Sequence, residues 1–254
     1  MLRLSVDLNC DMGESFGPYR HGADGEVISF ISSANIACGF HGGDPSVMRN
    51  SVALARNYGV AVGAHVGFPD LLGFGRRNLQ VRPAELKDYV TYQVGALQAI
   101  AKAQGLRVHH VKPHGAMYMM ALEDEQMSRA ILEAVIEQDE TLSIYTIEDS
   151  ATFLMAGKLG LRTVSEFFAD RGYRSDGTVK MFDWNLDEAG GTPEAIGARV
   201  ARLILTGKVA AMDGTEITMR PQTLCVHSDT PRAPEIVRAI RDDLKKAGID
   251  VKAP

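Results

Sequence analysis

Along the chain, short apolar runs alternate with longer stretches whose apolar residues recur every three or four positions. The short runs predict strands over residues 2–8, 34–38, 60–65, 109–112, 142–147, 163–167 and 223–227. The first and third are largely uninterrupted and rich in Leu and Val, as expected of parallel strands covered on both faces. The longer stretches predict helices. Over 83–104, Leu86, Val90, Val94, Leu97 and Ile100 share one face. Met127, Ile131, Leu132, Val135 and Ile136 repeat the pattern, and Ile236, Val237, Ile240 and Leu244 mark the last helix. Asp44-Pro45 and Thr192-Pro193 read as an N-cap followed by proline in the first turn. Gly59 and Gly105 stand where helices should stop.

Seven strand–helix alternations with right-handed crossovers imply a parallel sheet. Polar residues follow nearly every strand instead of gathering at one crevice. The expected fold is therefore α/β, a seven-stranded (β/α) barrel with one polar mouth, and not an open doubly wound sheet. The 254 residues suit a single domain, 1–254, and no linker, low-complexity segment or repeat divides them.

Composition narrows the function. Hydrophobic residues make up 45% and charged residues 23%, an ordinary globular balance, and the net charge is −5. No basic block is present to neutralise phosphates, so nucleic acid is not expected as a partner. No run of eighteen apolar residues predicts a membrane span. The first seven residues reach the carboxylate of Asp7 too soon for a signal peptide. Three scattered cysteines, Cys10, Cys38 and Cys225, suit neither a disulfide framework nor a zinc knuckle. They read as small buried residues of a cytoplasmic protein.

The chemistry is expected at the strand ends. Asp7, Asn9, Asp11 and Glu14 follow the first; Asn35, His41, Gly42 and Gly43 the second; His65 the third; Lys112 and His114 the fourth. Glu166, Asp170 and Arg171 follow the sixth, and His227 and Asp229 the seventh. Four of the seven histidines thus face one end of the sheet. One such histidine is ordinarily a satisfied structural group; four of them with carboxylates at the mouth of an apolar barrel suit acid–base chemistry. Asp7, Asn9 and Asp11 alternate along an extended segment and share a face, where they serve either chemistry or loop capping. Lys112, at the end of a buried strand, needs a wet pocket or a carboxylate. His109 and His110 read as structural. Gly42-Gly43-Asp44-Pro45 lets the backbone approach a ligand before a helix N-terminus, an anion site or an ordinary tight turn. The loop Gly73-Phe74-Gly75-Arg76-Arg77 reads as a clamp or cover for the site, or as plain surface. Patterns G-x-x-x-x-G-K-[ST], G-x-S-x-G, C-x-x-C and H-E-x-x-H are all missing.

The runs DLNCDMGE, ANIACGFHGGDP, GAHVGFPD, VKPHGAMY, EFFADRGY and CVHSDTP, in this order from Val6 to Pro231, resemble the LamB/YcsF family. That resemblance implies a seven-stranded barrel related to glycoside hydrolase and polysaccharide deacetylase barrels. It implies the A subunit of a prokaryotic ATP-hydrolysing 5-oxoprolinase, which opens 5-oxo-L-proline to L-glutamate with B and C subunits. ATP with Mg²⁺ is the expected cofactor, and a homo-oligomer is compatible with the sequence.

For that reaction, one carboxylate of Asp7, Asp11 and Glu14, with His65 or His114, is expected to activate water. Lys112 or Arg171 would stabilise the oxyanion or phosphoryl charge. His41 and the Gly42-Gly43 backbone would hold a carboxylate or phosphate, with Asn9, Asn35, Glu166 and Arg171 beside the substrate. His227 and Asp229 are expected to form an acid–base pair. A protein-bound metal stays open: Asp11, His65 and His114 match the one-aspartate, two-histidine set of deacetylase barrels, but Pro45 stands where their H-x-x-x-H pair needs its second histidine. Two alternatives are a stand-alone metal-dependent amidase or deacetylase, and a non-catalytic subunit that binds 5-oxoproline.

Overall fold

Seven strands pair in a closed parallel ring in the computed structural model, which describes residues 4–254. They are β1 (Ser5–Met12), β2 (Ser33–Ala37), β3 (Ala61–Val66), β4 (Val108–Pro113), β5 (Ser143–Thr146), β6 (Arg162–Phe168) and, after a short hairpin, β9 (Thr223–His227). Each pairs with the next, and β9 closes the ring on β1 with Asp7 opposite Thr223 and Asp11 opposite His227. The hairpin, β7 (Lys208–Ala210) with β8 (Glu216–Thr218), is antiparallel and lies outside the ring. β10 (Asp250–Val251) adds a short parallel edge to β1. The barrel expectation holds.

The helices are α1 (Asp24–Val27), α2 (Pro45–Tyr58), α3 (Pro83–Ala103), α4 (Gly115–Ala121), α5 (Glu125–Gln138), α6 (Ala151–Leu159), α7 (Pro193–Thr206) and α8 (Ala233–Lys246). Their ends obey local chemistry. Asp44 accepts from the amides of Ser46 and Val47 to start α2, and Thr192 accepts from Ala195 N to start α7. Gly59 ends α2 in the left-handed conformation, and Gly105 follows α3 by two residues. Leu86, Val90, Val94 and Leu97 of α3, and Ile236, Val237, Ile240 and Leu244 of α8, are buried as their spacing predicts. No helix among the described residues is long and apolar enough to cross a membrane.

The first strand departs from expectation. It runs from Ser5 to Met12, beyond the predicted 2–8, and Leu2 and Arg3 lie outside the described residues. Leu8, Cys10 and Met12 enter the apolar core, while Asp7, Asn9 and Asp11 share the opposite, inward face. That inward face is polar at every depth, which corrects the expectation of an apolar barrel. At the bottom, Asp7 accepts from Ser32 (2.6 Å), Ser33 (2.8 Å), Tyr145 (3.0 Å) and Thr223 (2.6 Å). One layer up, Asn35 donates to Asn9 Oδ1 and Asp11 Oδ1, both at 2.7 Å, and Asn9 donates to Glu166 (3.1 Å) and Thr223 (2.7 Å). His110, stacked on Tyr145, donates to Asn35 Oδ1 at 2.7 Å. A Cβ at position 63 would lie 2.0 Å from His110 Nε2, so Gly63 makes room for that ring. Each buried polar group here has partners, the condition under which such a core is tolerated.

Candidate active site

Above these layers a narrow cleft, with a cavity volume of about 30 Å³, opens at the C-terminal ends of the strands. Asp11, His65, Lys112, His114 and His227 line it, with Arg76, Tyr118, Phe168 and Arg171 at its sides. At its floor the Lys112 ammonium lies 2.9 Å from Asp11 Oδ1, 3.1 Å from Glu166 Oε1 and 3.0 Å from Cys225 Sγ. Burial pulls its pKa down, but Asp11, Cys225 and Glu166 more than offset this and hold it well above the usual lysine value. Burial likewise pushes Asp11 up, and His65 and Lys112 overcome it and hold the carboxyl well below its usual range. Glu166 also accepts from Tyr118 OH at 2.9 Å, and burial is the main reason that phenol is raised.

A second unit sits on β9. His227 Nδ1 lies 3.1 Å from both oxygens of Asp170, and its backbone N–H donates to Asp170 Oδ2 at 3.0 Å. Thr230 Oγ1 (2.6 Å) and Arg171 Nη1 (3.0 Å) hold the same oxygen. A carboxylate accepts, so Nδ1 carries the proton and Nε2 is left facing Asp11 Oδ2 at 3.7 Å. The expected His227–Asp229 pair is thereby corrected. Asp229 turns instead to Arg76 Nη2 (2.9 Å) and His21 Nε2 (3.4 Å), because Asp170 already occupies both N–H groups of His227. Arg171, buried over the Trp184 ring at 3.7 Å, keeps its Nε without a partner among the described residues.

The third unit is a knot of imidazoles around Glu14. His41 and His114 stack at 3.7 Å, and His65 meets both edge-on. Burial and the neighbouring imidazoles hold His41 and His114 well below the usual histidine value; burial, then Asp11 and Asp229, push Glu14 up. The loop 73–77 covers the knot. His114 Nε2–H donates to Phe74 O at 2.8 Å, Ala116 N–H donates to Gly75 O at 2.9 Å, and Arg77 pairs with Asp70. Gly75 has φ +62°, and a Cβ there would fall 2.7 Å from that of His41. Among the described residues, two groups could hold a metal ion: Glu14, His41, His65 and His114, and Asp11, Cys225 and His227.

Of the residues expected at the site, Asp11, His65, Lys112, His114, Arg171 and His227 line the cleft. Glu14 and His41 lie just behind His65 and His114. Asn9, Asn35 and Glu166 sit beneath it, and Asp7 lies at the bottom of the barrel. Alternate positions of a strand descend about 6.6 Å per pair, so a shared face is not a shared depth. Gly42 and Gly43 pack against the backbone of Gly13 and Glu14 away from the cleft. The amides of the following helix are taken by Asp44 itself, which leaves no anion site there. Asp170 was missed as His227's partner although it lies two residues beyond β6; the link spans 57 positions and carries no local pattern.

The sequence matches the LamB/YcsF family over residues 6–254. The A subunit of a 5-oxoprolinase from Heliobacterium modesticaldum is 50% identical over 98% of both chains. Its counterpart from Thermus thermophilus is 46% identical over 98% of this chain and all of the other. The crystal structure of a lactam utilization protein, also from Thermus thermophilus, superposes with a TM-score of 0.92 at 45% identity, covering 99% of this chain and 100% of that one.

Proposed function

On the premise that the chain belongs to the LamB/YcsF family, we propose that it is the A subunit of an ATP-dependent 5-oxoprolinase and opens the lactam ring to glutamate with B and C subunits. The supporting observation is the buried charge system at the mouth: Lys112 between Asp11 and Glu166, beside His227 held by Asp170. Such a floor meets a small anionic amide and the negative charge that develops as its carbonyl is attacked.

A five-membered lactam is a poor electrophile whose closure is favoured by proximity, so opening needs an energy source. ATP with Mg²⁺ supplies it. Transfer of the γ-phosphoryl group to the amide oxygen releases ADP and makes C5 electrophilic. Water adds at C5, the C–N bond breaks with a proton delivered to nitrogen, and a second water releases phosphate from the acyl phosphate. In this reading His227 Nε2 takes the proton from the attacking water and returns it to the leaving amine. Glu14, His65 and His114 orient that water. Lys112 and Arg171 balance the oxyanion and phosphoryl charge, and the unpaired edge of Arg171 takes the substrate carboxylate.

The test is glutamate formation from 5-oxoproline by this chain alone and with its B and C partners, each with and without ATP. Glutamate only with partners and ATP is expected. No glutamate in any mixture of folded components discards the substrate, and turnover by the chain alone without ATP assigns it to metal-dependent amidases instead.

A further inference from the structure

Backbone contacts fix which ring nitrogens carry protons in the histidine knot. His65 Nδ1 lies 3.0 Å from the Lys112 carbonyl and His114 Nε2 lies 2.8 Å from the Phe74 carbonyl. Carbonyl oxygens only accept, so both of these nitrogens are N–H donors. The remaining ring nitrogens, His65 Nε2 and His114 Nδ1, face each other at 3.0 Å, and Asp11 Oδ2 lies 3.3 Å from His65 Nε2. Glu14 Oε1 joins them, 3.5 Å from His114 Nδ1, 3.9 Å from His65 Nε2 and 3.2 Å from His41 Nε2. All four donor atoms lie within 4.8 Å of one another, on residues that are fully or almost fully buried. Acceptors aimed at one point in a dry site repel unless something positive stands among them. His41 can turn its own ring proton to Glu14 Oε1 through Nε2, which still leaves His65 Nε2 and His114 Nδ1 opposed unless a proton or a cation stands between them.

We propose that Glu14, His65 and His114, with His41 as fourth donor, hold one divalent transition cation of the zinc class. The spacing suits it. Donors about 2.0–2.2 Å from a tetrahedral ion stand about 3.3–3.6 Å apart, and the edges observed here, 3.0, 3.2, 3.5 and 3.9 Å, bracket that range. Three imidazoles and a carboxylate favour zinc, cobalt or nickel over magnesium or calcium. Backbone carbonyls that fix the far nitrogens of His65 and His114 are the outer contacts such ligands need. The other donor group, Asp11 with Cys225 and His227, is excluded by its own charge. The Lys112 ammonium already lies 2.9 Å from Asp11 Oδ1 and 3.0 Å from Cys225 Sγ, and would repel a second cation.

Metal binding is read without substrate or partners, so its outcome is separate from that of the lactam reading. The full chain is stripped with chelator, dialysed, and titrated with Co²⁺ and then Zn²⁺. One Co²⁺ per chain, with the intense visible bands of a four-coordinate ion that Zn²⁺ bleaches, is expected. Glu14→Gln and His114→Gln should each weaken Co²⁺ binding by about 100-fold or more, with near-ultraviolet circular dichroism confirming the fold. Cys225→Ala should bind within about twofold of the parent. Absence of saturable binding by the folded parent chain, or unchanged affinity in folded His114→Gln, overturns the proposal.

Discussion

Lys112 is 2% exposed, so its charge is balanced mainly by Asp11 and Glu166 and hardly by bulk solvent. Removing it strands both carboxylates in the barrel. Lys112→Met should therefore cost about 3–5 kcal/mol of stability, read as a lower urea midpoint at unchanged slope. In the reaction proposed above, the same variant should lower kcat, because that reading places its charge where negative charge develops. A rise in KM with kcat intact would instead mark the chain as a carrier of substrate.

At the scale of elements, the loop 73–77 is tied to the barrel mainly through Phe74 O and Gly75 O, and reaches across the mouth through Arg76 to Asp229. Arg76 is 40% exposed, so the pair contributes little to folding. Arg76→Ala should change stability by less than about 1 kcal/mol while raising KM several-fold as the cover loosens; unchanged KM would make the loop plain surface. Elements with a helical period, such as α3 and α8, were legible because water on one side and core on the other impose it. The inward face of β1 was not. Asp7, Asn9 and Asp11 read as a strand end because a barrel interior is ordinarily apolar, and only contacts from β2, β5, β6 and β9 reveal that they are satisfied inside. The β7–β8 hairpin was too short, at three residues per strand, to leave an alternation. Strand-end histidines were legible by position, whereas their pairing was a property of the closed ring.

For the whole molecule, buried carboxylates set the response to acid. Burial pushes Asp170 up, but Arg171, His227 and Thr230 outweigh it and hold its carboxyl well below the ordinary aspartate value of 3.8. A depressed pKa contributes stability that is present above the unfolded value and is lost as pH falls through the folded one. Asp11 has the same sign. The stability that Asp170 and Asp11 contribute should thus be lost progressively below about pH 4, whereas Asp7, Glu14 and Asp24, which burial pushes up, act in the opposite sense. Asp170→Asn should melt lower at neutral pH and show a shallower acid limb, since it has no such proton to take up. Parallel limbs in the two proteins would mean that other groups carry the acid response.

The ring closes between its first and last strands, where Asp7 and Thr223 bond across 216 positions. During synthesis β1 through β6 can pair as they emerge, yet the sheet keeps two open parallel edges until β9 leaves the ribosome. Open edges invite pairing with other chains, and contacts between distant segments form slowly. Asp11 and Lys112 wait on one side of that seam and His227 on the other, so no nascent chain lacking β9 has a complete site. Any assay of this protein's chemistry is also an assay of whether the seam has shut.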